Sequence, residues 1–228
     1  MLKRADQTAI LIFANSSKEE MHHKSFLKDE RLIDYLNSKT VKLAEKACSN
    51  VIVYDESLQV GSNFSEKFSN AIHDIFKRGF KNVITIGNDS PELKVSHIQE
   101  AIHKLQEGQN VIGPSKDGGV YLIGICKDQF DLNEFLSLSW QTKFLSNDLE
   151  DLLKSKGSKI KKLEYLQDID SYHDLLYFSN HFSLSEILRG LIITLIHNFK
   201  KQVRRTYLPI TGFHYSAYFF NKGSPAIS

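Results

Sequence analysis

Two short segments of the chain contain residue types that can hold a cation and bring a ligand close to the backbone. Residues 87–93 read GNDSPEL, so the carboxylate of Asp89 lies in a tight loop framed by glycine and proline. Residues 113–124 read GPSKDGGVYLIG, in which a second carboxylate, Asp117, precedes a double glycine. Carboxylates bind hard divalent cations, and glycines let a ligand approach the backbone closely. Both segments are therefore candidate parts of a binding site.

A third acidic segment, QDID at residues 167–170, contains two carboxylates one residue apart. At least one of Asp168 and Asp170 is expected to face a site. Structural interpretations remain open for all of these carboxylates. Asp89 could be an ordinary turn residue, since aspartate is common in turns. Asp117 followed by glycine is typical of the turn of a β-hairpin. Asp168 and Asp170 could each cap a following helix, which we expect from about residue 172.

The histidines and cysteines give weaker signals. Adjacent residues such as His22 and His23 do not converge on one ion in regular structure. His97 and His103 are six residues apart on a predicted helix, lie on different faces, and are expected to face solvent. The sequence shows neither a nucleophile elbow nor a dinucleotide fingerprint after its first strand, which disfavours hydrolase and dehydrogenase functions.

Apolar runs rich in β-branched residues precede the acidic segments and predict the strands that position them. Apolar residues at helical spacing predict helices over 64–76 and 98–105, and residues 138–163 are expected to be helical with a break rich in lysine and serine. Strands that alternate with helices predict an α/β fold, in which a mostly parallel sheet has helices on both faces. Ligands of such sheets bind at the carboxyl ends of the strands. The predicted strands cover residues 9–13, 51–54, 82–86, 110–113 and 120–125.

Composition limits the classes of function. The chain has 228 residues, of which 41% are hydrophobic and 25% charged, as in an ordinary globular protein with one large domain or a domain and an appendage. Its formal net charge of +2 gives no reason to expect nucleic-acid binding. Cys48 and Cys126 are too few for a disulfide scaffold or a thiolate metal site. We expect a cytoplasmic protein.

The C-terminal part differs in charge from the rest. Residues 187–228 contain six basic residues and no acidic one, whereas residues 1–186 carry 23 positive and 27 negative charges. Apolar residues at helical spacing from Ile187 to Phe199 predict an amphipathic helix, which is followed by a basic cluster and six aromatic residues. We therefore divide the chain into a domain at 1–180 and a helical basic extension at 181–228.

Two hypotheses compete for this extension. It packs on its own body or on a second subunit, which would make the protein a homo-oligomer, or it lies at an anionic membrane surface. Packing is favoured over the membrane, because apolar stripes usually belong to a core or an interface and the body is mildly acidic.

The three acidic segments, together with Trp140 and Thr142, resemble the glycosyltransferase-A superfamily of nucleotide-diphospho-sugar transferases. They resemble more closely its small bacterial branch, called domain of unknown function family 2064. The resemblance spans roughly residues 9–178 and includes a weaker match at Gln59, Gly61, Phe64, Glu66 and Lys67. It implies a Rossmann-like fold.

The resemblance also implies a cation site. Asp89 stands where the superfamily holds a divalent cation, Mg²⁺ or Mn²⁺, and the second protein ligand would be Asp168 or Asp170. Such ions prefer oxygen ligands, so one or two carboxylates plus diphosphate oxygens complete the shell.

On the substrate side, the resemblance places Asp117 and Tyr121 toward the acceptor. Asp117 could act there as the general base on an acceptor hydroxyl. The expected substrate-binding residues are Gly118, Gly119 and Tyr121, together with Lys24 and Asn88. The implied partners are a nucleotide sugar or nucleotide and an unknown acceptor.

The first loop departs from the family pattern. The family carries a glycine and a lysine-threonine-arginine cluster there, but residues 15–24 read NSSKEEMHHK. Glu19 and Glu20 would repel a diphosphate unless they point away, and only Lys18 and Lys24 could compensate. We therefore expect weak donor binding.

The expected function is metal-dependent transfer of a sugar from a nucleotide-sugar donor to an acceptor. One alternative is nucleotidyl transfer by an enzyme of similar fold. The other is a non-catalytic binding or assembly protein that keeps the fold, and the altered first loop favours it.

Overall fold

A computed structural model describes residues 7–24, 26–27, 29–180 and 184–206, without the side chains of 201–206. The strands are β1 (Thr8–Phe13), β2 (Val51–Tyr54), β3 (Asn82–Ile86), β4 (Asn110–Pro114), β5 (Val120–Cys126) and β6 (Ile160–Lys162). These six strands form one sheet in the order β2-β1-β3-β5-β4-β6. Neighbours β1 and β2, β1 and β3, and β4 and β6 are parallel, while β5 runs antiparallel to both β3 and β4. The predicted α/β fold with a mostly parallel sheet is therefore confirmed.

Eight helices connect or follow these strands in the described part of the chain. The two helices predicted between strands are present as α3 and α4, and the backbone turns left-handed at Gly79 (φ 98°) and Gly108 (φ 75°) just after them. The helices are α1 (Ser17–His23), α2 (Arg31–Ala47), α3 (Phe64–Lys77), α4 (Val95–Gln106), α5 (Leu132–Leu136), α6 (Leu145–Ser155), α7 (Tyr172–Ser179) and α8 (Glu186–Thr206).

Alternate residues of β1 enter different cores, as the two-residue period of a strand requires. Ala9 and Leu11 pack with α3, α5 and α6 on one face, while Ile10 and Ile12 pack with α2 and α4 on the other. The sheet is thus covered on both faces, which explains why its strands are continuous apolar runs. This arrangement leaves the loops at the carboxyl ends of β1, β2 and β3 to form a site.

The prediction for residues 138–163 was partly wrong. Only α6 is an α-helix there, and Ile160–Lys162 form the edge strand β6, parallel to β4. All three residues of β6 are only partly buried, so the strand lacks the apolar run by which the other strands were found.

Helix α8 confirms the helical prediction for the start of the C-terminal extension. Leu188, Ile192, Leu195 and Ile196 are buried in a third core that includes residues of α2 and α7. The helix therefore packs on its own body, while Ile187 and Ile193 remain exposed. The aromatic residues from Tyr207 onward lie outside the described residues. None of the described helices is both long and apolar enough to span a membrane.

Candidate functional site

A cavity of about 920 Å³ opens at the carboxyl ends of β1, β2 and β3. Its lining includes Asp89, Asp117, Asp168 and Asp170, as well as Lys24. The structure thus brings all four predicted site carboxylates to one place, although they come from segments up to 81 residues apart in the numbering. A cleft beyond the strand ends is the usual ligand position in a sheet of this kind.

Backbone hydrogen bonds join the late acidic segment to the two earlier ones. The N–H of Ile169 donates to the carbonyl of Asp89 at 2.9 Å, and the N–H of Lys116 donates to the carbonyl of Leu166 at 2.9 Å. Residues 166–170 consequently lie between the loop after β3 and the turn after β4. These bonds fix where the carboxylates of this segment can point.

The Lys24 ammonium lies among oxygen atoms from three parts of the chain. Its Nζ is 2.9 Å from Oδ1 of Asp170, 3.3 Å from Oδ2 of Asp89 and 3.4 Å from Oε1 of Glu20. It also donates to the carbonyl of Ile169 at 2.8 Å. Burial disfavours the charge, but the carboxylates of Asp89, Asp170 and Glu20 outweigh burial and raise the pKa of Lys24. Lys24 is therefore a protonated side chain that is fixed by ion pairs within the site.

Asp170 and Asp168 take different roles within this segment. Asp170 reaches Lys24, whereas Asp168 accepts hydrogen bonds from the Ser90 hydroxyl and, at 2.5 Å, from the Ser115 hydroxyl. Burial, followed by the charge of Asp89, raises the pKa of Asp168 to about 7 even though both hydroxyls lower it. Burial also raises the pKa of Asp170, against the opposing effect of Lys24. Asp168 thus connects the two loops, and Asp170 faces Asp89 across the ammonium.

Neither of these aspartates caps α7. Ser171 is the N-cap residue, and its hydroxyl accepts from the N–H of Asp174 while the Asp174 carboxylate accepts from the backbone N–H of Ser171. This reciprocal pair is a capping box and satisfies the helix start by itself. The capping interpretation of Asp168 and Asp170 is therefore wrong, and both side chains are left to the cavity.

Asp117 lies in the turn that joins β4 and β5, so the hairpin interpretation is confirmed. Its Oδ1 accepts from the N–H of Gly119 at 2.9 Å. Gly118 has a φ of 94°, and a Cβ there would lie 2.0 Å from the carbonyl oxygen of Lys143. The glycine is thus required by the close approach of the Lys143 backbone, and the exposed Asp117 side chain lies in the lining of the cavity.

The other predicted binding residues have structural contacts of their own. Tyr121 is buried below Gly113, and its hydroxyl donates to the carbonyl of Glu164 at 3.1 Å. Asn88 donates to Oδ1 of Asn37 at 2.5 Å. Both residues line the cavity, yet these polar groups are engaged by the protein. A ligand could therefore contact these two residues only through their other atoms.

One expectation about histidine was wrong. His97 is not solvent-facing: its side chain is only 8% exposed, and its Nε2 lies 2.6 Å from Oε1 of Glu164. Helical spacing could not reveal this, because Glu164 lies 67 residues further along the chain. His103, in contrast, is exposed as predicted.

Aromatic side chains form a second wall of the cavity. Trp140 packs on Phe68 with ring centroids 4.8 Å apart and on Phe64 at 5.8 Å, and Phe13 meets Phe68 edge to face. The Trp140 indole N–H donates to the carbonyl of Phe135 at 2.6 Å, which fixes the ring. The cavity lining thus includes both carboxylates and aromatic rings. An aromatic face can stack on a planar base or on the apolar face of a sugar.

The first loop is joined to the residues after β2 by hydrogen bonds that the sequence did not indicate. Glu56, after β2, accepts from the N–H of Ser16 at 2.7 Å and from its hydroxyl at 2.6 Å. A protein carboxylate therefore occupies backbone and hydroxyl donors at the start of α1. Ser90 and Ser115 were also missed, although both lie inside the motif segments directly beside strand ends, and that position was a usable signal.

The donor atoms fit a hard divalent cation in type. Asp89 and Asp170 present carboxylate oxygens to one point, and that point already accommodates a positive charge. Among the residues that the structure describes, no group of three His, Cys, Asp or Glu side chains is arranged to hold a metal ion. Two carboxylates would leave the remaining positions of such an ion to water and phosphate.

Comparison with known proteins supports the resemblance. Residues 35–142 match the model of a family described as an uncharacterized protein conserved in bacteria (DUF2064). No curated protein matches the chain.

Among solved structures, a protein from Desulfovibrio desulfuricans G20, provisionally named a nucleotide-diphospho-sugar transferase, is 20% identical with a TM-score of 0.70. The alignment covers 88% of this chain and 98% of that chain.

More distant likenesses include the manganese complex of Rv0371C from Mycobacterium tuberculosis H37Rv, 13% identical with a TM-score of 0.46 over 75% of this chain and 97% of that chain. The 4-diphosphocytidyl-2C-methyl-D-erythritol synthase from Anaerococcus prevotii DSM 20548 is 10% identical with a TM-score of 0.47 over 88% of this chain and 100% of that chain. Residues 35–142 are therefore similar to the DUF2064 family, and the described part of the chain shares the fold of the Desulfovibrio desulfuricans protein.

Proposed function

We propose that the protein transfers a sugar from a nucleotide-diphospho-sugar donor to an acceptor hydroxyl, with the help of Mg²⁺ or Mn²⁺. The observation that carries this proposal is that Asp89 and Asp170 both lie against the Lys24 ammonium inside the cavity, at a point where positive charge is held. A diphosphate leaving group carries negative charge, and a cation held by these carboxylates would neutralise that charge as it develops.

The chain's own residues would bind and orient both substrates. Asp89 and Asp170 would hold the cation that binds the donor diphosphate, and the Lys24 ammonium, which lies beside both carboxylates, would donate to diphosphate oxygens. The wall formed by Phe13, Phe64, Phe68 and Trp140 is available to a ring of the donor or the acceptor. Glu56 on Ser16 limits the number of backbone donors open to phosphate, which supports the expectation of weak donor binding.

Asp117 is proposed as the general base. The acceptor oxygen forms a bond to the anomeric carbon, while the bond from that carbon to the diphosphate oxygen breaks. The acceptor proton passes to Asp117, and nucleoside diphosphate leaves. The carboxylate is exposed at the cavity rim, where a separate acceptor molecule can reach it.

Product analysis tests this function. Nucleotide sugars are incubated with Mn²⁺ and the protein, and ³¹P NMR follows the phosphorus products. Sugar transfer, or slow donor hydrolysis without an acceptor, releases nucleoside diphosphate, whereas nucleotidyl transfer from a nucleoside triphosphate releases pyrophosphate. Asp89→Asn should abolish the release, and Asp128→Asn, at an exposed carboxylate in the turn after β5, serves as the matched control.

The non-catalytic alternative has one observation in its favour. Lys24 and Glu56 already satisfy charged and polar groups of the cavity, as in a protein that keeps the fold without turnover. Nucleotide-sugar binding by calorimetry, with the donor recovered intact, would support that alternative over the transferase.

A further inference from the structure

The position of Lys24 has a consequence for the order in which ligands bind. Three carboxylates, from Glu20, Asp89 and Asp170, lie within 3.4 Å of one ammonium group whose side chain is only 13% exposed. One positive charge against three negative charges leaves this group of residues with a formal charge of −2. The negative net charge therefore favours binding of a further cation, but the Lys24 ammonium already fills the space between the carboxylates.

We propose that the Lys24 ammonium is the counter-ion of Asp89 and Asp170 when no ligand is bound. A divalent cation that binds alone must displace this ammonium from the two carboxylates. When a nucleotide binds as well, its phosphate oxygens become the new partners of the ammonium. The inference deepens the proposed function and rests on its placement of the cation at Asp89 and Asp170. It predicts that the metal and the nucleotide bind cooperatively.

The physical reason is the cost of leaving a buried charge without partners. A cation that takes Asp89 and Asp170 removes two of the three carboxylates around the ammonium, and an ammonium held out of water is expensive unless it remains paired. The oxygens of a diphosphate supply new acceptors for it. Binding of the nucleotide therefore removes the unfavourable free energy of an unpaired Lys24 ammonium, which opposes binding of the metal alone.

Glu20 and Ile169 determine how far Lys24 can move. Glu20 lies on α1, one turn before Lys24, and the Ile169 carbonyl accepts from the ammonium at 2.8 Å. Neither contact requires Asp89 or Asp170. The ammonium can thus give up those two carboxylates and keep part of its surroundings, so the exchange is a short displacement.

Calorimetric titration with Mn²⁺ alone tests the proposal. The variant Lys24→Gln removes the competing cation and keeps a polar side chain, and it should bind Mn²⁺ at least about tenfold more tightly than the wild type, within the usual range of coupling between sites. Lys67→Gln is the control: Lys67 lines the same cavity and, among the described residues, forms no ion pair with Asp89 or Asp170. Its Mn²⁺ affinity should equal that of the wild type.

The second measurement is the mutual effect of Mn²⁺ and uridine diphosphate. In the wild type each should strengthen binding of the other by the same factor, as linkage requires, and this factor should fall several-fold in Lys24→Gln. If Lys24→Gln does not fold, as judged by circular dichroism, the apolar Lys24→Met of similar length takes its place.

Equal or weaker Mn²⁺ binding by the folded Lys24 variant would overturn the proposal, as would no Mn²⁺ binding by either protein. Failure of the proposed function looks different: Mn²⁺ and uridine diphosphate would bind cooperatively as expected, yet no nucleotide sugar incubated with Mn²⁺ and the protein would release nucleoside diphosphate.

Discussion

The backbone N–H of Ile169 donates to the carbonyl of Asp89 at 2.9 Å, across 80 residues of sequence. This bond sets Asp170 opposite Asp89, with the Lys24 ammonium between the two carboxylates. It also directs Asp168 away from Lys24 and onto the hydroxyls of Ser90 and Ser115. The geometry of the site thus follows from main-chain pairing of the late acidic segment with the loop after β3.

Gly118 should tolerate no side chain. In Gly118→Ala the added Cβ meets the Lys143 carbonyl oxygen at 2.0 Å, and the residue must also keep a φ of 94°. We expect a loss of unfolding free energy of at least about 2 kcal/mol in urea denaturation. Gly157→Ala is the matched control, since its φ is 70° but nothing lies within 4 Å, and its loss should be about 1 kcal/mol. Equal losses in the two variants would show that the contact with Lys143 has no energetic weight.

The stability of the protein should depend on pH through Asp168, whose pKa is raised from 3.8 to about 7. Between these values the unfolded chain ionises while the folded chain keeps its proton, so stability falls as pH rises and the loss is complete above about pH 7. The variant Asp168→Asn does not lose stability in this way, because its side chain does not ionise. Its unfolding free energy relative to wild type should therefore rise from about pH 4 to about pH 7 and then stay constant, by at most about 4 kcal/mol over that range. A difference independent of pH would contradict the raised pKa.

Asp117→Asn should separate catalysis from folding. The amide oxygen can still accept from the N–H of Gly119, so the turn and the unfolding temperature should be preserved. The base is lost, and the initial rate of nucleoside diphosphate release should fall by about 10² to 10⁴. Donor affinity measured by calorimetry should not change. Unaltered turnover would remove Asp117 from the mechanism.

Removal of the C-terminal extension should damage the body. A chain that ends at residue 180 lacks Leu188, Ile192, Leu195 and Ile196, and their loss exposes the apolar residues of α2 and α7 that they cover. We expect lower solubility or a changed oligomeric state, measured by size-exclusion chromatography with light scattering. The division into residues 1–180 and 181–228, and the homo-oligomer, remain predictions that this experiment addresses.

The full chain is correspondingly expected to ignore anionic liposomes in a sedimentation assay. Strong, salt-sensitive sedimentation, together with a soluble and monomeric truncated body, would instead favour the membrane hypothesis.

The elements that local pattern could predict were those with their own periodicity. The apolar runs of β1 to β5 and the apolar stripes of α3, α4 and α8 each lie within one stretch of sequence, and the structure confirms them. β6 was missed because Ile160–Lys162 are all partly exposed and contain two lysines. A short polar strand on the edge of a sheet is recognised by its partner, β4, and not by its own residues.

The parts of the site that sequence could not reveal depend on distant pairs. Asp89 and Asp117 were found because their loops carry glycine and acidic residues at strand ends. Asp168 and Asp170 were named as alternatives for the second ligand because of the family resemblance. The contact of Glu56 with Ser16 spans 40 residues and that of Lys24 with Asp170 spans more than 140, and no local pattern encodes such contacts. Lys24 was predicted to contact a substrate, and its ion pairs with the cavity's carboxylates became visible only in three dimensions.

The most direct test of the central claim is calorimetric titration of uridine diphosphate with Mn²⁺ into the wild type, Asp89→Asn and Asp170→Asn, with Asp128→Asn as control. The claim is that Asp89 and Asp170 together hold a cation that binds the nucleotide diphosphate. Both site variants should lose Mn²⁺-dependent nucleotide binding with little change in unfolding temperature, while the control binds as the wild type does. Unchanged Mn²⁺-dependent affinity in Asp89→Asn or Asp170→Asn would contradict the claim.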